Sequence, residues 1–141
     1  MALREKTMGK AKIKPCLEKI KRFSREDKDT LAVFLFGSCA RNTSAARSDI
    51  DICVVLNQCK AWSALELSQK KLEFLEQFPG IDIQIFQQIP LYIQKRVIKE
   101  GRLILCKDEQ KLYDLVLRQI TIYNDFERGY KGYLAEVENA G

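Results

Sequence analysis

A chain of 141 residues, 46% hydrophobic and 30% charged, has the composition of globular material and the length of one core-building domain, which excludes a disordered tail. Its longest wholly apolar run is six residues, far short of the ~20 that cross a bilayer, so no membrane partner is expected. The formal net charge of +5 is lodged in residues 1–30, where ten Lys or Arg meet five Asp or Glu, while the other 111 residues hold fourteen of each.

In chain order, the charged N-terminus, Met1-Ala2-Leu3-Arg4-Glu5-Lys6, lacks an apolar signal region, and the chain reads as cytoplasmic. Leu17, Ile20 and Phe23, with Cys16, fall at helical spacing and predict a basic helix over about 11–28, with Pro15 suited to a first helical turn. Such a segment could touch nucleic acid, but a solvated helix face is the simpler reading, and no aromatic residue except Phe23 interleaves with the bases. A first strand is expected at about 31–36, a short helical turn and loop at 38–46, and a second strand at about 49–55. A helix over about 61–77 is expected to bury Leu65, Leu72 and Leu75 and to stop at Pro79-Gly80. The third strand is Ile81 to Phe86, Pro90 opens a helix to about Glu100, and Arg102 to Cys106 forms a fourth strand. A long amphipathic helix follows over about 108–137, with Leu112, Leu115, Tyr123, Phe126, Tyr130 and Leu134 near one face, and Gly129 and Gly132 are expected to loosen or break its last turns. Alternating helices and strands predict an α/β fold, a small mixed sheet flanked by helices, in a single domain over 1–141.

The chain has no histidine, which excludes Ser-His and Cys-His nucleophilic pairs and any His-ligated metal. Five cysteines, Cys16, Cys39, Cys53, Cys59 and Cys106, form no Cys-x-x-Cys pair and read as buried reduced thiols. Chemistry must therefore lean on carboxylates. Gly37-Ser38 ends the first strand, and ten residues later comes Asp49-Ile50-Asp51. Alternation along a strand sends both aspartates to one face. At about 6 Å, two such charges repel by roughly 3 kcal/mol at an effective dielectric of ~20, which a divalent cation between them would relieve. Gly37 permits close backbone approach, and Ser38 offers a hydroxyl and an N–H to phosphate oxygens. Asp82 is a third acid between two isoleucines. Three carboxylates beside a phosphate cradle fit Mg²⁺-dependent phosphoryl or nucleotidyl transfer with two ions. Taken singly, Gly-Ser is a common turn, and Asp-x-Asp or Asp82 is also what a solvent-facing strand position looks like; the joint spacing favours a site.

Gly37-Ser38-Cys39-Ala40-Arg41 through Ser48-Asp49-Ile50-Asp51-Ile52 resembles the Gly-Ser…Asp-x-Asp signature of the polymerase-β-like nucleotidyltransferase superfamily. The short chain looks like its minimal nucleotidyltransferase (MNT) branch, whose members often act as antitoxins to HEPN-domain ribonuclease toxins. The resemblance implies that Asp49 and Asp51 are metal ligands and that Asp82 is the third acid, aligning or deprotonating the acceptor hydroxyl. It also implies that Gly37 and Ser38, helped by Arg41, hold the β- and γ-phosphates. Asn42 stands where many relatives have glycine, and asparagine tolerates the left-handed backbone of such a turn. The implied reaction moves AMP from ATP to a hydroxyl, expected on a tyrosine, of a HEPN toxin in hetero-oligomeric contact with this chain, the final helix with Tyr123, Tyr130 and Tyr133 being a docking surface. The alternatives are an antitoxin that masks its partner by contact alone and a transferase acting on a small-molecule hydroxyl.

Overall fold

A computed structural model describes the backbone of residues 2–37 and 50–140 and the side chains of residues 14–37 and 50–139. Helix α1 (Ala2–Glu26) leads into strands β1 (Thr30–Phe36) and β2 (Asp51–Leu56). Then come α2 (Ala64–Gln77), β3 (Asp82–Ile85), a 3-10 turn at Phe86–Gln88, α3 (Leu91–Glu100), β4 (Arg102–Cys106) and α4 (Glu109–Ala140). The strands form one sheet in the order β3-β2-β1-β4. β1 pairs antiparallel with β2 and β4, while β2 and β3 run parallel, so the sheet is mixed, as the alternation of elements implied.

Each sheet face buries its own helices. Val33, Leu35, Ile52, Val54, Ile83 and Ile85 pack with Ile20 of α1 and with Leu67 and Phe74 of α2. Phe23 meets Phe74 and Phe78 edge-on, with ring centroids 5.0 and 5.5 Å apart, contacts worth about 0.5–1.5 kcal/mol each beyond their buried area. On the opposite face, Ala32, Phe34, Cys53 and Val55 pack with Val97 of α3 and with Leu112 and Leu115 of α4. Strands so enclosed lose the polar–apolar alternation of a half-exposed sheet, which is why β1 and β2 read as continuous apolar runs.

Several expected elements shift. α1 starts at Ala2, so Pro15 lies inside the helix rather than in its first turn; the Ala, Leu, Arg, Glu, Met and Lys of residues 2–14 favour helix strongly enough to carry it through the hydrogen bond that Pro15 cannot donate. α2 begins at Ala64 because Ser63 and Glu66 form a capping box, each side chain accepting the other's backbone N–H at 3.1 Å. Its core face is Leu67, Lys70 and Phe74, not the expected stripe: Leu65 and Leu72 are exposed and Leu75 is half-buried. Lys70 masks that face in the sequence. It is tolerated there because its ammonium meets the carboxylates of Asp27, Asp29 and Glu73 at 2.8–3.0 Å.

α4 continues through Gly129 and Gly132 to Ala140. Two glycines cost about 1 kcal/mol each relative to alanine in a helix, which does not outweigh the surrounding helix formers. Among the described cysteines, all free thiols, Cys53 is buried, Cys16 and Cys106 are half-buried, and Cys59 is exposed rather than buried. The expected helical turn at 38–46 and Cys39 lie outside the described residues. Among the described residues no helix is long and apolar enough to cross a membrane.

Candidate active site

The parallel register of β2 and β3 pairs Asp51 directly with Asp82, and Phe36 at the end of β1 pairs with Asp51. Paired residues point to the same face of a sheet. Both carboxylates therefore sit on the face that carries α3 and α4, at the edge where β1 ends and where β2 and β3 begin. One more rung secures the alignment: the Asp82 N–H donates to the Ile50 carbonyl at 3.0 Å. Asp82 is exposed and Asp51 half-buried. The Gln84 amide, two residues along the same face, donates from Nε2 to Asp82 Oδ1 at 3.2 Å.

Gly37 closes the site at the end of β1. Its φ of +81° lies in the left-handed region that favours glycine, and a Cβ there would stand 2.1 Å from Asp51 Oδ2. The missing side chain is thus what lets the turn backbone approach the Asp51 carboxylate. Beneath the carboxylates, Cys53 continues the same face of β2; burial pushes its thiol well above the ordinary range, so it is a neutral filler.

The structure thus brings together three of the six expected site residues, Gly37, Asp51 and Asp82. Ser38, Arg41 and Asp49 lie outside the described residues. Among the described residues no group of three or more Asp, Glu, Cys or His side chains could hold a metal ion; Asp51 and Asp82 are the described acids that pair across β2 and β3. As a donor set they fit Mg²⁺, which takes hard carboxylate oxygens from one or two side chains together with phosphate oxygens.

Residues that the sequence did not single out also reach this edge. α3 ends beside Gly37, and Phe36, Gly37, Ile93, Arg96, Val97 and Glu100 line a cleft of about 140 Å³. Gly101 makes that arrival possible, since a Cβ at Gly101 would meet the Val97 carbonyl at 2.3 Å and the Phe34 ring at 3.3 Å. Gln84 was legible as the second residue after Asp82 on an alternating strand. Arg96 and Glu100 carry no local signal beyond helical spacing.

Residues 18–110 match the family described as Polymerase beta, Nucleotidyltransferase. A "putative protein adenylyltransferase" of Methanocaldococcus jannaschii is 34% identical over 97 residues, 68% of this chain and 71% of that protein. Among solved structures, the chain is similar to a chain of a toxin–antitoxin complex with AMP-PNP, with 16% identity and a TM-score of 0.64 over 86% of this chain and 97% of that one. It is also similar to a chain of a complex between a tri-AMPylated Shewanella oneidensis HEPN toxin and an MNT antitoxin, with 15% identity and a TM-score of 0.57 over 94% and 98% of the two chains. At such identities the structural likeness is one of fold. With 18–110 matched and a relative one-third identical over two-thirds of its length, the chain belongs to the polymerase beta nucleotidyltransferase family.

Proposed function

We propose that this chain transfers AMP from ATP to a hydroxyl, on a tyrosine, of a HEPN-domain toxin and so acts as its antitoxin. The observation that carries the reading is the pairing of Asp51 with Asp82 on one face, beside a turn whose glycine lets its backbone come up against the Asp51 carboxylate. The name of the M. jannaschii relative and the AMPylated toxin in the S. oneidensis complex support AMP transfer to a protein.

In this proposal Asp49, Asp51 and Asp82 would hold Mg²⁺, expected as two ions. Bound there, Mg²⁺ would neutralise phosphate charge and ease loss of the acceptor proton. The backbone at Gly37-Ser38, aided by Arg41, holds the β- and γ-phosphates, which leave as pyrophosphate when the acceptor oxygen bonds the α-phosphorus and the link from the α- to the β-phosphate breaks. Asp82, on the outer strand, faces the incoming hydroxyl and receives or aligns its proton, and Gln84 fixes one Asp82 oxygen. Cys53 below stays protonated and takes no part.

Intact mass spectrometry tests the transfer. The chain, its candidate HEPN partner, ATP and Mg²⁺ are mixed; the partner is expected to gain one or more AMP units, and none without Mg²⁺. Full neutralisation of the toxin with no mass change would sink the enzymatic reading in favour of masking by contact.

The partner surface is proposed on α4. Leu112 and Leu115 at its start are buried, but Phe126, Tyr130, Tyr133, Leu134 and Val137 are all at least 41% exposed. Phe126 and Tyr130 stack with rings 6° from parallel. A contiguous aromatic stripe of this kind left in water marks a contact surface. Replacing Phe126 and Tyr130 together by glutamate is expected to weaken partner binding by about a hundredfold, the scale of two aromatic anchors, with an unchanged thermal midpoint. Calorimetric titration checks this, and unaltered affinity would move the interface off α4.

A further inference from the structure

The far end of the sheet carries a second concave site, which neither the carboxylate edge nor the aromatic stripe of α4 uses. Leu31 near the start of β1, the loop Asn57-Gln58-Cys59 after β2 and the opening turns of α4 enclose a cavity of about 330 Å³. From α4 it takes Lys111, Asp114, Leu115 and Arg118, whose i, i+3, i+4, i+7 spacing puts them on one face of the helix. Leu31 and Gly37 are six residues apart along β1, roughly 20 Å at ~3.3 Å per strand residue, so the cavity is separate from the Asp51–Asp82 edge.

The loop wall is fixed by its own hydrogen bonds. The Asn57 N–H donates to the Asp29 carbonyl and its Nδ2 to the Lys28 carbonyl, both at 2.8 Å, while its carbonyl accepts from Trp62 Nε1 at 2.8 Å. Its Oδ1 accepts from the Cys59 thiol at 2.7 Å. A wall tied in this way loses little further freedom when a ligand binds. The cations opposite it are uncommitted. Asp114 and Arg118 have the i,i+4 spacing of a helical ion pair, yet Asp114 Oδ1 accepts from Gln110 Nε2 at 3.0 Å instead. Among the described residues neither Lys111 nor Arg118 is in an ion pair.

Two cations and one carboxylate leave the lining a net formal charge of +1, over a floor made by the buried side chains of Leu31 and Leu115. That pattern suits an organic anion with an apolar body. A simple aromatic or fatty acid would leave the Gln58 amide and the Asp114 carboxylate without partners, whereas a nucleoside monophosphate offers both of them ring heteroatoms and sugar hydroxyls. At about 330 Å³ the cavity stands at the lower end of ligand pockets, about 300–1,000 Å³, which is room for one such molecule. We infer that this cavity is a second ligand site, which takes a nucleoside monophosphate with its phosphate at Lys111 and Arg118 and its ring on Leu31 and Leu115. Asp114 and Gln58 then bond the sugar and the ring edge. The rival occupant is an acidic side chain of a protein partner. It is disfavoured because it would meet Asp114 on the same helix face and leave the two leucines uncovered.

The test is equilibrium binding of AMP, adenosine and inorganic phosphate, without added Mg²⁺, to the unaltered chain, to Arg118→Ala, to the Lys111→Ala and Arg118→Ala double variant, and to Asp51→Asn. AMP is expected to bind more tightly than adenosine or phosphate. Arg118→Ala is expected to weaken AMP binding about tenfold and the double variant about a hundredfold, the scale of one and two charge-assisted hydrogen bonds. Both side chains are exposed, so the variants are expected to keep the thermal midpoint. Asp51→Asn is expected to bind AMP as the unaltered chain does. Cys59, exposed and lining the cavity, reports the location: AMP is expected to slow its alkylation by iodoacetamide in step with occupancy, read by peptide mass. Absence of AMP binding, an AMP affinity unchanged in the double variant, or binding that leaves Cys59 unprotected overturns the inference. Loss of AMP binding in Asp51→Asn alone also overturns it, by placing AMP at the carboxylate edge, and adenosine or phosphate bound as tightly as AMP removes the ligand class. A double variant whose sole defect is weaker partner binding would give the cavity to an acidic side chain of the partner. The proposed transfer stands or falls separately, on the mass gained by that partner.

Discussion

Asp51→Asn is expected to lower the rate of AMP transfer by at least about a thousandfold while leaving the fold intact. The substitution keeps the volume and removes one negative charge from the half-buried position that pairs with Asp82. If that charge holds a divalent cation against phosphate oxygens, several kcal/mol of transition-state stabilisation go with it, and each 1.36 kcal/mol is a factor of ten. Gly37→Ala reaches the same carboxylate from the other side. Its new Cβ would stand 2.1 Å from Asp51 Oδ2, and alanine at a φ of +81° is strained in addition. The carboxylate must move, so a fall of about a hundredfold or more is expected with only a few degrees lost in thermal midpoint. Because both changes act through one side chain, the double variant is expected to be no slower than Asp51→Asn alone. Initial rates of AMP incorporation read this cycle. More than a tenth of the rate surviving in Asp51→Asn, or full additivity in the cycle, would remove Asp51 from the reacting centre.

Gly37, Asp51 and Asp82 could be singled out in the sequence because their signals are local, while Ser38, Arg41 and Asp49 lie outside the described residues. A glycine ending an apolar run, and an acid at a strand position, are statements about a few neighbouring residues. The pairing of Asp51 with Asp82 needed only the parallel direction of β2 and β3, which a crossover through α2 supplies. What stayed hidden depends on elements meeting in space. The buried face of α2 was misread because Lys70 interrupts it, and the reason a lysine can sit there lies 41 and 43 residues upstream in Asp29 and Asp27. The cleft at Arg96 and Glu100 exists because α3 crosses the sheet and ends beside Gly37, and nothing in the order of residues 91–100 says where that helix points. The last turns of α4 stay helical for a simpler reason: Gly129 and Gly132 lower helix propensity but do not forbid helix.

Lys70→Met is expected to destabilise the fold by about 3 kcal/mol and to lower the thermal midpoint by about 10 °C for a chain of this size, without slowing transfer per folded molecule. The Lys70 ammonium, 9% exposed, is held at 2.9 Å from Asp27, 3.0 Å from Asp29 and 2.8 Å from Glu73. Asp27 also accepts from the Thr30 hydroxyl at 2.7 Å, so the cluster ties α2 to the turn that joins α1 to β1. Methionine keeps the packing and removes the cation, leaving three carboxylates facing one another with Asp27 largely buried. That is the costly way to break an ion pair, as opposed to replacing every member by apolar groups. Burial works against the Lys70 charge, but its hydrogen bonds to Glu73, Asp27 and Asp29 outweigh it and raise the group above the ordinary lysine range. A folded-state value above the unfolded one of about 10.4 stabilises the fold fully below that pH, and the contribution is lost as pH rises through the folded value. The gap between the two proteins in urea melts is therefore expected to be flat from about pH 6 to 9 and to narrow above about pH 10.5. A gap under about 1 kcal/mol would class the cluster with ordinary surface pairs. The cluster sits at the start of β1 and Gly37 follows its end, roughly 20 Å away at ~3.3 Å per strand residue. Loss of stability with unchanged transfer would thus separate what holds this sheet together from what its far edge does.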